Sequence, residues 1–399
     1  MMKHATLKLG APVVIAQADP SIRDWGPYQF PFVERLPDGR LHCFYHIEED
    51  SARAYGKDNG HAVSEDGGQS WKPLEGGEWN GVLLPNGDHL RSISKKPEVL
   101  DPAKDLPREM QAEALLNAGR VQVYDPDLFP RRYGGYYFMR KKAGSSEWVE
   151  ERHDIHIPFA SRIFRHNLDN LLSYNSFSRL RIAPDGTLWG IIYQFSYKDG
   201  RAAMAAMFVT SDDCGYHWEH RSSVFYPYKR VKEDFFWATR TGFTEPDLAF
   251  LPDGSMMCLC RTDDCFHPGP MYRFYSTDGG YTWSDPEPFE RIGVWPCLMS
   301  LKNGVTVMGY GRPGLYLRAT ADPTGRDWSG DRITIVDPNG AGEEDCSYGI
   351  GEDTCSYCDI LPMGDDKFYL VYSDFHVKNA DGKPCKTILG RLITAEITE

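Results

Sequence analysis

The sequence predicts an all-β fold, a six-bladed β-propeller formed by residues 1–399 as a single domain. Three observations lead there: a turn motif that recurs and ends in Trp, a hairpin that recurs ahead of it, and the near absence of long helical periodicity. Fold repetition of this kind allows one domain to exceed the usual size, so 399 residues need not be divided.

The turn motif reads Ser/Thr-x-Asp-x-Gly-x-x-Trp. Its copies run Ser64 to Trp71, Ser211 to Trp218 and Ser276 to Trp283, with a longer fourth from Thr320 to Trp328. This is the Asp box. The carboxylates of Asp66, Asp213, Asp278 and Asp322 are expected to accept backbone N–H groups inside the turn. Gly68, Gly215, Gly280 and Gly325 suit the positive φ that a tight hairpin requires. The Trp packs beneath. The motif speaks for fold, because its residues are used up in the turn.

The hairpin ahead of each box is two apolar strands around Asp-Gly or Asn-Gly, the favoured short turns. Instances centre on Asp38-Gly39, Asp185-Gly186, Asp253-Gly254 and Asn303-Gly304, with weaker ones at Gly134-Gly135 and Gly364. A hairpin followed by an Asp-box hairpin makes four strands, one blade. The segment 72–120 is expected to be an insertion, although Val82 to Asp88 in it could belong to a seventh blade. The last strand, roughly Thr387 to Ile397, should pair with a strand near Leu7 to Ile15 and so leave no open edge.

Composition narrows the partners. A net charge of −13 with no basic run disfavours nucleic acid and anionic membranes. The apolar run Ala11 to Ala16 is too short for a secretory leader and reads as a strand, so a soluble, cytoplasmic enzyme of bacterial type is expected. No stretch approaches a membrane span. In that setting the ten cysteines are expected as free thiols, with Cys258 and Cys260 in the core. Cys355 and Cys358 have CxxC spacing but no second pair to complete a zinc site. His153, Asp154 and His156 could bind metal, and alternation in a polar strand explains them equally well. No cofactor is called for.

A separate set of residues carries chemistry. Thr244-Glu245-Pro246-Asp247 is followed by a hairpin ending in Arg261; Arg312 follows in the next repeat, and Ser356-Tyr357-Cys358-Asp359 in the last. These segments, with the Asp boxes, resemble the sialidase family of glycoside hydrolases over about Tyr28 to Tyr372. The resemblance implies Tyr357 as nucleophile, Glu245 as its base, and Arg261 and Arg312 as two members of an arginine triad that binds a substrate carboxylate. A Tyr is a poor nucleophile at its ordinary pKa of roughly 10, and a carboxylate that takes its proton activates it. Guanidinium forks suit carboxylates. Each has a bland alternative: Glu245 and Arg261 could form a structural pair, and Tyr357 could be a core tyrosine.

The first repeat departs from the family. Gln29, in Tyr28-Gln29-Phe30-Pro31, stands where the first triad arginine is expected. Arg23 could reach the site instead. The proton donor implied by the resemblance lies on the loop from His46 to Gly60, with Asp50 first, Asp58 second, and Glu48 or Glu49 as alternatives. Trp237 could stack on a sugar or lie in a core. The expected activity is retaining exo-hydrolysis of a terminal acidic sugar, sialic acid or a relative, from a glycan. The alternatives are a lyase acting on uronic-acid glycans and a non-catalytic glycan-binding propeller.

Overall fold

The computed structural model describes residues 3–398 apart from 52–53, 55, 78–79, 96–97, 117–118, 165–170, 173–176, 228–239, 265–268 and 339–352. The described residues are almost wholly β, joined in sheets that are antiparallel apart from one parallel pairing at Met204 and Gly242, with one short α-helix at Pro102–Asp105. None of their helices is long and apolar enough to cross a membrane. The chain divides into two compact units: Met1–Asn80, Leu248–Leu259 and Ile292–Glu399 in the first, Gly81–Asp247 and Cys260–Arg291 in the second.

The first unit shows the expected four-stranded grouping. Gln29–Arg35, Leu41–His46, Gly60–Ser64 and Lys72–Pro73 form one sheet, and Val294–Ser300, Thr306–Gly311, Leu315–Thr320 and Ile333–Val336 another. In a third, Cys358–Pro362, Lys367–Lys378 and Pro384–Thr398 are joined by the N-terminal strands. Leu7 pairs with Ala395 and Val13 with Gly390, so the chain ends meet in one sheet as the sequence predicts. The inner faces of these strands supply the core, including Val307, Leu317, Phe368, Leu370 and Ile393.

In the second unit, Arg179–Ile182, Leu188–Lys198, Arg201–Ser211 and Glu219–Phe225 form one antiparallel group. Another joins Val82–Leu83 and His89–Ile93 to Tyr136–Lys141 and Trp148–His153. The hairpin around Asn86-Gly87 was expected within an insertion. It instead completes a four-stranded sheet, because Leu90 and Phe138, both fully buried, face one core with Leu188 and Met207. Removing Phe138 back to Ala would cost roughly 3–5 kcal/mol.

The turn motifs are built as their chemistry demands. Asp66 accepts the backbone N–H of Gln69 and Ser70 at 3.0 and 2.9 Å and the Ser70 hydroxyl at 2.6 Å, while Ser64 Oγ accepts Gly68 N–H at 2.8 Å. Asp213 does the same with Tyr216 and His217, and Asp278 with Thr282. The Trp that ends each turn is tied down through its indole: Trp71 donates to Tyr369 Oη at 3.0 Å and Trp283 to Ser222 Oγ at 2.9 Å. The thiols expected in the core are there, with Cys258 and Cys260 fully buried.

Candidate functional site

The expected site residues divide between the two units, and each set has its own geometry. In the second unit, Glu245 and Arg261 form an ion pair at 2.7 Å, with side chains 7% and 14% exposed. Beside them Asp247 is fully buried and bound by Arg179 at 3.3 Å and Arg181 at 2.9 Å. Buried carboxylates need such partners, since taking a charge out of water is costly. Glu245 has φ +50°. A non-glycine residue in the left-handed region is strained, and such strain tends to gather at functional sites.

In the first unit, Tyr357 is half-buried inside an aromatic cluster. Trp295 lies parallel to it, with ring centroids 5.0 Å apart and planes 8° apart. Phe30 meets it edge-on at 4.9 Å and 73°. Trp25 in turn packs edge-on against Phe30 at 5.8 Å. The Arg312 guanidinium stands 5.9 Å from the centre of the Trp25 ring, within cation–π range, and donates to Cys355 O at 3.4 Å. Arg312 itself is buried to 7% exposure. Tyr357 and Arg312 are thus linked through the Phe30 and Trp25 rings in one wall.

The backbone explains how that wall is presented. Phe30 and Trp295 have φ +53° and +45°. Each sits at an extra residue in its strand: Gln29 pairs with His46 and Phe32 with Phe44, Val294 with Gly311 and Cys297 with Gly309. These are β-bulges, which re-aim a side chain. Each strained residue precedes a proline, in Phe30-Pro31 and Trp295-Pro296, as Glu245 does in Glu245-Pro246. Trp295 was missed by sequence reasoning, although this X-Pro pattern was there to find it. Trp25 was missed too, with no comparable signal.

The remaining candidates fare differently. Gln29 is fully buried, and its Oε1 accepts the Gly26 N–H at 3.2 Å, so half of its amide belongs to the loop. Its Nε2 has no hydrogen-bond partner among the described residues. Arg23 is exposed and donates to Pro384 O at 3.3 Å. It lines a polar surface hollow of about 520 Å³ with Asp19, Ser21, Asp381 and Lys383, which includes none of Tyr357, Arg312 or Asp50. Asp50 accepts the Trp25 indole N–H at 2.8 Å, and Asp58 is exposed farther along the same loop. Glu48 is taken by Lys57 at 3.0 Å. Trp237 lies outside the described residues.

His46 joins the wall from its far strand, 4.9 Å from Phe30. Burial pushes its pKa below the usual value, with the Asp50 charge opposing. Cys355, beneath Phe30, is fully buried and free; burial pushes its thiol up, and it neighbours Ser373 Oγ at 2.9 Å. Asp154 is bound by Arg131 and Arg152 at 2.7 and 2.6 Å. Among the described residues no group of three or more His, Cys, Asp or Glu side chains is arranged to hold a metal ion.

No family model matches the chain, and no curated protein does. Solved structures do match. A protein of unknown function from Dyadobacter fermentans aligns over 98% of this chain and 99% of its own, with TM-score 0.66 and 16% identity. The NanB sialidase of Streptococcus pneumoniae aligns over 96% and 70%, with TM-score 0.50 and 13% identity. The α-L-arabinofuranosidase Arb93A of Fusarium graminearum aligns over 97% and 98%, with TM-score 0.51 and 12% identity. At these identities the likeness is one of fold: an all-β chain whose architecture is shared with glycoside hydrolases of differing specificity.

Proposed function

We propose that the protein is a sialidase-like β-propeller glycoside hydrolase that releases a terminal acidic sugar with retention, using Tyr357 as nucleophile. The observation that carries this reading is the aromatic wall, where Tyr357, gripped by Phe30 and Trp295, shares one surface with the buried Arg312 guanidinium. A neutral phenol suits attack beside an anionic substrate, because a carboxylate nucleophile would meet like charge. The Tyr357 proton passes to a carboxylate base, the role the sequence resemblance gives to Glu245. Asp50 gives its proton to the leaving oxygen and later receives one from the water that frees the sugar. The fold neighbours support a glycan as substrate, and they include both a sialidase and an arabinofuranosidase. The loss of the first triad arginine, with Gln29 buried and bonded to Gly26, favours an acidic sugar held by fewer guanidiniums than sialic acid receives in the family.

The test is Tyr357→Phe, assayed with sialosides and uronides and products read by mass spectrometry. Turnover should vanish while the melting temperature holds; a variant that keeps its rate sinks the mechanism. One observation favours a second reading. His46, kept neutral by burial, and Tyr357 both pack on Phe30, a base and an acid suited to a uronate lyase. A lyase would yield an unsaturated product that absorbs in the ultraviolet.

A further inference from the structure

We propose that Trp25 is a positioning residue that holds Asp50, in preference to Asp58, as the proton donor to the leaving oxygen. The proposal deepens the hydrolase reading and rests on it. Asp50 sits on an exposed loop, where a short side chain would otherwise sample several rotamers. Its Oδ2 accepts the Trp25 indole N–H at 2.8 Å, which leaves Oδ1 to carry the proton. Trp25 is itself held in place. Its ring abuts Phe30 at 5.8 Å and 81°, Phe30 abuts Tyr357, and the Arg312 guanidinium faces it at 5.9 Å. Behind it, Gly26 has φ +121° and lies so close to the proton-donor loop that a Cβ would come within 2.4 Å of Glu48 O and 2.5 Å of Asp50 N. From below, the buried Lys386 ammonium binds the carbonyls of Asp24 and Pro27 on either side. Asp58 has no such tie among the described residues.

The chemistry balances. The glycosidic C–O bond breaks as the Tyr357 O–C bond forms, and the Oδ1 proton of Asp50 goes to the leaving oxygen. The phenol proton goes to the carboxylate base as that bond forms. Water then cleaves the tyrosyl bond, giving its hydroxyl to the sugar and a proton to Asp50, and the base returns its proton to the Tyr357 oxygen. Proton transfer of this kind depends on geometry first.

The experiment uses the full chain in three forms: unaltered, Trp25→Phe and Asp50→Asn. The indole N–H signal absent in Trp25→Phe identifies Trp25 by nuclear magnetic resonance. It should shift in Asp50→Asn, which replaces the carboxylate that the indole N–H binds. With alkyl glycosides of the acidic sugar, which need protonation, Trp25→Phe should lose rate roughly tenfold, and Asp50→Asn on the order of a hundredfold or more. Both should lose much less with dinitrophenyl glycosides, whose leaving group needs no proton. An indole signal indifferent to Asp50→Asn, or a Trp25→Phe loss equal for both leaving groups, overturns the proposal. If the unaltered protein turns over neither glycoside, the hydrolase reading fails and takes the proton-donor role with it. The indole signal, which needs no turnover, separates that outcome from the absence of the Trp25–Asp50 hold.

Discussion

The Trp295 indole and the Tyr357 phenol lie face to face, 5.0 Å apart and 8° from parallel. Neither ring reaches that position from an ordinary strand. Trp295 is turned by a bulge with φ +45°, and Tyr357 follows Ser356 at φ +64°. Two strained residues thus hold one stack, and the strain has a measurable consequence.

Trp295→Ala removes the stack and leaves a Cβ in the left-handed region. An aromatic pair is worth roughly 0.5–1.5 kcal/mol beyond its buried area, so kcat should fall several-fold as the phenol loses its orientation. Trp295→Gly loses the same ring but relieves a left-handed backbone that costs roughly 1–2 kcal/mol. Denaturant unfolding should therefore find the Gly variant more stable than the Ala variant, with kcat equally reduced. The reverse order of stability would mean that the bulge carries no strain.

Gln29→Arg restores the letter of the family's triad and should fail to restore its function. Gln29 is fully buried and its Oε1 accepts the Gly26 N–H. An arginine there has no acceptor to offer that N–H and brings an uncompensated charge indoors. The melting temperature should drop, and cleavage of sialosides should not rise. A stable variant with new sialosidase activity would show that the position opens toward substrate.

Much of this was legible in the sequence, and the reasons differ by element. The Asp boxes were readable because every group in them bonds within a few residues, as Asp66 does with Gln69 and Ser70. The pairing of the chain ends was readable because an unpartnered edge strand is a liability at both. The strand around Leu90 was assigned to an insertion because its partner, Tyr136–Lys141, lies far along the chain, beyond the reach of hairpin signals. Tyr357, Arg312, Glu245 and Arg261 could be named as candidates from their segments. The Trp25–Asp50 bond could not, since it depends on how two loops fold against Gly26. Trp295 lay between these cases, with a pattern present but unread.

The box aspartates predict how stability responds to acid. Asp66 is lowered to about 2 from 3.8, chiefly by the Ser70 hydroxyl and N–H, and Asp278 likewise by Thr282. For Asp213 burial pushes upward, but bonds from His217 and Ser211 outweigh it and the value is again about 2. A carboxyl whose folded pKa lies below its unfolded one stabilises above the unfolded value and loses that contribution as pH falls through the folded one. The melting temperature should be insensitive to these groups above about pH 4 and fall between there and about pH 2. Asp66→Asn, Asp213→Asn and Asp278→Asn combined should melt lower at neutral pH and show a flatter acid limb. An unchanged limb would assign acid unfolding to other carboxylates.

The Glu245–Arg261 pair poses a sharper question, because its members are expected in chemistry and are bonded to each other at 2.7 Å. Both are largely buried, so Glu245→Gln leaves the Arg261 charge without its closest anion. Breaking a buried pair from one side typically costs about 3–5 kcal/mol. A loss of activity in that variant alone would therefore say nothing about a catalytic base. Glu245→Gln with Arg261→Gln removes both charges and keeps two amides able to bond, so stability should return in large part. If Glu245 serves only to neutralise Arg261, kcat should return with stability. If Glu245 is a catalytic base, the double variant should be as stable as the unaltered protein to within a kcal/mol or so, of the order seen for buried pairs replaced whole, with kcat still low, whereas the loss of the substrate grip expected of Arg261 should show in KM. Equilibrium unfolding and steady-state rates on the same preparations decide between the two.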